Sequence, residues 1–472
     1  MATIETTRPG LTAQVIESLS ASHRGELLQP GDPAYDDARE VHNGLIDRRP
    51  ALIARCTGVA DVISAVNVAR DNNLVLSIRG GGHNVAGNAV NDGGIVIDLS
   101  RMRGVRVDLK AGTVRAEGGA TWGDVDHETQ MFGLAVPGGV VSSTGIGGLT
   151  LHGGLGWVRR KYGLSIDSLI SVDIVTADGQ LRTANSEENR DLFWAVRGAG
   201  SNFGVVTSFE FAMHPVGPMV ALAATAYAPE DGPRVLAGWR GFMDAAPEEI
   251  SGSAVFWCLP PADFIPAEMH HRPVLLVAAL HTGAVDEGEA ALVPLRHLAE
   301  PVLDMSGTVP YTELQSSFDP LFPKGWFYYW KSLYLNKLEE PEIAALTQIG
   351  ANRPTPITAV ALWHLGGQMT RTAASETAFG SREAPYLLSL DTTWNNEADT
   401  DRCIQWTRDT WRAAHAFSQG GLYLNFAGFG EEKEALVRAS YGTNYDGLVD
   451  IKTRYDPTNL FRMNNNISPA LK

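Results

Sequence analysis

The sequence predicts a chain of mixed helices and strands in two units, the first assembled from both ends of the chain and the second inserted between them. Three observations predict this. Short apolar strands and helices alternate with glycine clusters up to about residue 214. From about 216 to 419 the pattern changes to long alternating strands with few glycine loops and most of the tryptophans. Glycine-and-aromatic character then returns at Gly420-Gly-Leu-Tyr-Leu-Asn425. The division that follows is 1–214 with 420–472 as one domain and 215–419 as the other.

Residues 11–29 and 60–72 space their apolar side chains as helices do. The second follows the capping-prone Thr57-Gly58. Residues 74–78 form a short apolar strand that runs straight into three glycines. Residues 94–99 and 105–117 alternate as further strands, 122–132 are helical, and 133–156 read as glycine-rich coil. Residues 170–177, closed by Asp178-Gly179, read as a strand entering a hairpin. In the second unit helices are expected at 285–299 and 400–417.

A chain of 472 residues is comfortable for two domains. Hydrophobic residues at 44% and charged residues at 19% describe an ordinary globular protein with ample core. The net charge of -16 argues against nucleic acid and anionic membrane as partners, because both would repel it. Cys56, Cys258 and Cys403 are widely separated, so neither a disulfide framework nor a metal site is expected. Residues 1–7 lack a basic stretch followed by an apolar one, and no apolar run approaches the roughly 20 residues of a membrane helix. The expectation is a soluble, cytoplasmic protein acting on a small molecule, with its oligomeric state unread.

The 49 glycines cluster at 80–94, 112–123 and 133–163, where the chain needs tight turns or close approach to something. The first chemical motif is Ile78-Arg79-Gly80-Gly81-Gly82-His83-Asn84, with Gly87 shortly after. Successive glycines let backbone N–H groups converge on an anion such as a pyrophosphate. No Gly-Lys-Ser/Thr follows, and no G-x-G-x-x-G opens a helix, so neither phosphate fingerprint applies. The alternative is a plain glycine turn with an incidental histidine. The second motif runs from Pro137 through Ser142, Ser143, Thr144 and His152 to Trp157, and on to Tyr162 and Asp167. Its glycine density excludes a regular strand or helix, and its hydroxyls suit an elongated, phosphate-bearing ligand. The third is Tyr455-Asp-Pro-Thr-Asn-Leu-Phe-Arg-Met-Asn464.

In this order and spacing the three motifs resemble the berberine-bridge-enzyme-like branch of the FAD-linked oxidases, within the PCMH-type or vanillyl-alcohol-oxidase superfamily. The resemblance covers nearly the whole chain and is loose only in the middle. The fold it implies is α+β, with a discontinuous PCMH-type FAD domain of two subdomains and an inserted substrate domain whose antiparallel sheet is backed by helices. It implies that His83 carries FAD covalently on the 8α-methyl carbon. Around His83 it assigns Arg79, Gly80, Gly81, Gly82, Asn84 and Gly87 to the cofactor. From the second motif it assigns Gly139, Val140, Val141, Ser142, Thr144, Gly145, Gly147 and Gly148, then His152, Gly153, Gly154, Gly156, Trp157 and Tyr162. Gly204, Val206, Tyr423, Asn425 and Asn464 complete the set. Val141 stands where many relatives have a second, cysteinyl link, so one link is implied. Gly139 stands where a small residue admits dioxygen to the reduced flavin, or else simply serves the turn after Pro137-Gly138. Val141, Thr144 and Leu149 together resemble a monooxygenase-like bacterial subgroup.

The family's Tyr-x-Asn-Tyr is Tyr423-Leu424-Asn425-Phe426 here, and Phe426 cannot act as a base. Tyr423 is expected on the opposite face of a strand from Phe426, because side chains alternate, with Tyr423 and Asn425 holding the flavin or its surroundings. Replacement bases are sought in the inserted sheet. Asp391 is a carboxylate among apolar strand residues. Tyr329 and Lys331 share a strand face, and a lysine beside a phenol favours its ionised form. His364 and Gln368 flank Gly366-Gly367. For each, core packing or solvent exposure is the competing explanation. The implied reaction is oxidation of an alcohol, amine or related C–H donor, with dioxygen reduced to hydrogen peroxide. Oxygen insertion, and a flavin-binding protein without turnover, are the rivals.

Overall fold

Apolar residues at positions 62, 65, 66 and 69 make one face of the helix Val59–Asp71, and that face is buried in a computed structural model of the chain. The structure describes residues 11–470 apart from 264, 419 and 431–433, so the N-terminal reading at 1–7 lies outside the described residues. Asp61 fixes the start of this helix by accepting the N–H groups of Arg24 and Thr57, both at 2.8 Å. The helix covers a four-stranded sheet in the order Leu27–Leu28, Leu52–Arg55, Ile95–Asp98, Leu76–Arg79, whose last two pairings are parallel. The expected helix at 11–29 is confined to Ala13–Ser20. After its C-cap at Ala21 the chain turns, and Gly25 packs on the carbonyl of Arg55, where a Cβ would stand 1.7 Å from the oxygen.

Beside this layer lies a five-stranded antiparallel sheet, ordered Val105–Asp108, Thr113–Glu117, Val205–Ala212, Leu169–Val175, Leu181–Asn185. The stretch read as coil at 133–156 holds one short helix, Ile146–Thr150.

The long alternating strands pair into one antiparallel sheet in the order Pro301–Asp304, Met219–Tyr227, Pro273–His281, Ile250–Cys258, Ala359–His364, Tyr386–Trp394, Phe327–Leu335, with Gly307–Pro310 also pairing Met219–Tyr227. Helices Gly232–Ala245, Val285–Leu292, Glu340–Ala351 and Thr400–Ala414 pack on one face. The 285–299 expectation ends at Leu292 because Pro294 follows, and the chain continues as a 3-10 turn. The fold is α+β.

Two buried arginines join the glycine-rich stretch to this sheet. Arg159 donates to the carbonyl oxygens of His364 at 2.9 Å, Gly156 at 3.0 Å and Gly252. Arg160 donates to Ile250 at 2.7 Å and Ala246 at 3.1 Å. At the other end of the chain, the helix Tyr445–Tyr455 carries Lys452, fully enclosed. Its ammonium donates to Asn202 O at 2.8 Å, Phe461 O at 2.9 Å and Asp456 Oδ2 at 2.7 Å, which anchors the C-terminal motif. No helix among the described residues is long and apolar enough to cross a membrane.

Lys452→Met would leave Asp456 as a buried carboxylate without its cation. The expected loss is about 3 kcal/mol of stability, read as a lower urea midpoint at unchanged slope.

Candidate active site

The strand Leu76–Arg79 delivers the chain into Gly80-Gly81-Gly82, where Gly82 takes φ +72°. Gly81 lies against Gly145 of the second glycine stretch. A Cβ on Gly81 would stand 2.3 Å from the amide nitrogen of Gly145, and the reverse distance is also 2.3 Å. Backbone touches backbone, which only glycine permits. The contact brings Ser143 Oγ to 3.2 Å from His83 Nε2 and Thr144 Oγ1 to 3.4 Å from Nδ1.

The His83 ring stacks on His42, centroids 4.0 Å apart, and His42 stacks on Tyr328 at 5.0 Å. His83 opens onto a cavity but is otherwise enclosed by protein. That desolvation, with the neighbouring His42, lowers its pKa to about 3. Burial lowers His42 to about 4, so both imidazoles are neutral at physiological pH. Sequence reasoning missed His42, which sits outside every glycine cluster. Asn43 beside it holds the segment in place, its amide donating to the carbonyls of Val85 and Tyr328, both at 2.8 Å.

The cavity has a volume of about 250 Å³. The two glycine loops form one wall, with Asn425 and Asn464 beside them. The sheet face turned away from the helices forms another, through Ser253, Val255, Trp257, Ala361 and Trp363, with Trp330 and Asp391. Phe318, Leu321 and Phe322 cover it from the segment between two strands. That segment is held down by Asp319, which accepts the backbone N–H of Ser142 at 2.7 Å and its hydroxyl.

Asp391 is the one carboxylate among the described residues of this wall. It faces Trp330 and Ala359 across the ladder and accepts the Ser389 hydroxyl. Complete burial, partly offset by that hydrogen bond, raises its pKa to about 7. Of the four candidate bases, the structure places this one in the cavity. Tyr329 and Lys331 do share a strand face, but it is the face under the helix Thr400–Ala414. Arg408 Nε reaches Tyr329 Oη at 3.3 Å, and the Lys331 ammonium lies 4.4 Å from the Trp411 ring centroid. Their odd-numbered parity puts Trp330, not them, in the cavity. His364 also faces the helices, against Trp239, with Nε2 3.2 Å from Asp244. Gln368 bonds its own helix at Thr372.

The strand expected to carry Tyr423 and Phe426 is instead a 3-10 turn, Leu424–Phe426. With about three residues per turn, Tyr423 and Phe426 meet on one side, centroids 5.0 Å apart and edge to face. The Tyr423 hydroxyl accepts the N–H groups of Gly154 at 3.1 Å and Leu155 at 2.9 Å, and Asn425 donates to it at 2.9 Å. Tyr423 thus holds the second glycine stretch in place.

Of the residues assigned to a cofactor, Gly80, Gly81, Gly82, His83 and Asn84 line the cavity, as do Gly139, Val140, Val141, Thr144, Gly145, Gly148 and His152, together with Tyr423, Asn425 and Asn464. The others serve behind it. Ser142 is engaged by Asp319, and Gly87 packs on Ile46. Arg79 donates to the carbonyl of Ala38. Gly147 lies under Gly118, Gly153 against Phe379 and Gly154 against Ser165, while Gly156 touches Gly138. Trp157 stacks on Phe318 at 5.7 Å and Tyr162 on His214 at 4.2 Å. Gly204 packs on Val175 and Val206 on Gly118.

The residues present fit a long, polar, flat group such as FAD. Gly148 opens onto the cavity with no atom within 4 Å of a would-be Cβ, and Asn464 Oδ1 is buried there without a partner.

Comparison with known proteins gives the same answer. The family described as "FAD binding domain" matches residues 50–185, and the family described as "Berberine and berberine like" matches 422–468. An FAD-linked oxidoreductase of Dictyostelium discoideum is 30% identical over 97% of both chains. The (R)-6-hydroxynicotine oxidase of Paenarthrobacter nicotinovorans is 32% identical over 95% of this chain and 97% of its own. The crystal structure of 6-hydroxy-D-nicotine oxidase from Arthrobacter nicotinovorans superposes with a TM-score of 0.85 at 30% identity, covering 95% of this chain and 99% of that one.

The folded pKa of Asp391, about 7, lies above its ordinary value of 3.8, so the folded chain keeps a proton there that the unfolded chain loses. The stability this contributes is complete below the ordinary value and is lost as pH rises through the folded one. Asp391→Asn is therefore expected to melt higher than the wild type at pH 8, by roughly 2 °C or more. In thermal scans the gap should close as the pH falls toward that of an ordinary carboxylate.

Proposed function

The chain belongs to the berberine-bridge-enzyme-like family of FAD-linked oxidoreductases, and from that premise we propose that it is an oxidase for an alcohol, amine or related C–H donor, with dioxygen as the electron acceptor. One observation carries the reading. A buried carboxylate, Asp391, stands on the sheet wall of the same cavity whose other wall presents His83.

FAD, when bound, supplies a two-electron acceptor for the hydride of the donor. The protein's own residues do the rest. Asp391 takes the proton of the donor's O–H or N–H, and a pKa near 7 suits a group that must both accept and release it. The aromatic wall and the Phe318–Phe322 cover exclude water, which strengthens that exchange. His83 is the point of covalent attachment in this reading. Only the neutral imidazole is nucleophilic, and burial keeps it neutral. Val141 cannot form a thioether, so the attachment is single. Gly139 lines the cavity, but a Cβ there would stand 2.7 Å from Leu149 Cδ1, so its missing side chain makes room for Leu149 rather than for dioxygen. A carboxylate in the cavity weighs against a flavin carrier without turnover, because Asp391 supplies the base that Phe426 lacks.

Acid-precipitated wild-type protein is expected to keep its flavin fluorescence, and His83→Ala to release it. A colourless wild-type precipitate would exclude the covalent link. Turnover should consume one dioxygen per peroxide formed, and oxygen from labelled dioxygen in the organic product would indicate insertion instead. Asp391→Asn should lower kcat/KM by about 10²–10⁴-fold. In the wild type the base is competent when ionised, so the rate should climb with pH through about 7 and level off above it. The variant should lack that rise.

A further inference from the structure

The cavity has an unusual charge balance. Among its described residues there is one carboxylate, Asp391, and no lysine or arginine. Its three histidines, His42, His83 and His152, are all pushed toward the neutral form by burial. The sheet and cover contribute two polar side chains, Ser253 and Asp391, and otherwise apolar or aromatic ones. A sugar chain would bury many hydroxyls against this wall, each costing about 1–3 kcal/mol if left unpaired. An anionic donor would meet a carboxylate and no cation.

A cation meets the opposite situation. Trp330 stands opposite Asp391 across the ladder and Trp257 lies in the same row beyond Ala359, and indole rings attract cations by about 0.5–2 kcal/mol each where they are presented. The net charge of -16 also concentrates cations near the protein. Phe318, Leu321 and Phe322 are pinned over the cavity through Asp319 and Ser142, which limits the length of what fits beneath.

We propose that the donor is a compact aromatic amine that enters as its ammonium cation and pairs with Asp391 in the row of the sheet it shares with Trp330 and Trp257. This rests on the oxidase reading above and narrows its substrate class. The ammonium N–H gives its proton to the Asp391 carboxylate, leaving the free amine and a carboxylic acid. The α-carbon then loses hydride, one hydrogen with two electrons, to the oxidised FAD that the family's activity supplies. The nitrogen lone pair closes the C=N bond of an iminium ion, and water converts that product to a carbonyl compound and a smaller amine in solution.

The test is calorimetric titration of photoreduced holoenzyme under nitrogen, where turnover is blocked and binding alone is read. The probes are N-methylbenzylamine, its neutral analogue benzyl methyl ether, and cellobiose. The amine is expected to bind about tenfold or more tightly than the ether, with cellobiose silent. Asp391→Asn should erase the preference for amine over ether. Trp257→Leu, at a half-buried position, should weaken the amine more than the ether. Equal or tighter binding of ether or cellobiose, no binding of the amine, or an unchanged preference in Asp391→Asn would overturn the proposal. Peroxide formed from a sugar would overturn it while leaving the oxidase reading intact. Amine binding as expected, with a reduced flavin inert to air, would remove the oxidase reading and leave the binding site standing.

Discussion

The contact between Gly81 and Gly145 is the constraint on which the site depends. With each amide nitrogen 2.3 Å from where the other residue's Cβ would be, the two loops meet as bare backbone. Any side chain at either position would part them, and His83 would lose both Ser143 and Thr144. A second contact of the same kind holds the far end of the stretch, where a Cβ on Gly156 would stand 1.7 Å from the carbonyl oxygen of Gly138. The density of glycine is therefore the mark of a few obligatory approaches, around which other glycines give the loops room. His83 is oriented by hydroxyls on one side and by the His42–Tyr328 stack on the other, so the two halves of the chain both hold it.

Strand alternation is the second determinant, because it sorts side chains between two different environments. On Phe327–Leu335 the odd positions Tyr329 and Lys331 meet the helix Thr400–Ala414, while Trp330 meets the cavity. On Tyr386–Trp394 the parity is reversed. Tyr386, Leu388 and Leu390 join the helix-side core, and Asp391 faces the cavity opposite Trp330. A shift of one residue in Tyr386–Trp394 would exchange Asp391 for Leu390 or Thr392, and one in Phe327–Leu335 would exchange Trp330 for Tyr329 or Lys331.

This also explains how far the sequence could be read. The glycine loops announce themselves, since no regular element tolerates that composition, and the helix at Val59–Asp71 follows from its apolar spacing. Asp391 could be found as a carboxylate in an apolar strand. What a single strand cannot reveal is which face the helices cover, so Tyr329, Lys331 and His364 looked equivalent to it. The turn at Leu424–Phe426 was misread for a related reason. Its aromatic residues suit a strand, but their partners, Trp330 and the loop at Gly154-Leu155, lie far away in sequence. His42 carried no local pattern at all, because its role comes from stacking between distant segments.

The electrostatics of the cavity depend on where the nearest cations are directed. The Arg159 guanidinium lies 5.2 Å from the ring centroid of Trp363, which pairs across the ladder with Leu387, four residues along the strand from Asp391. Its guanidinium donates only to carbonyl oxygens, those of His364, Gly156 and Gly252, and Arg160 likewise donates from its guanidinium to main-chain carbonyls. Were either arginine to reach Asp391, a charge-assisted pair would pull the carboxyl below its ordinary range and leave a weak base. Fixing both arginines on backbone joins the glycine stretch to the sheet, and Asp391 is left with burial and the Ser389 hydroxyl as the influences on its carboxyl. The same packing that desolvates Asp391 thus preserves the raised pKa on which its chemistry rests.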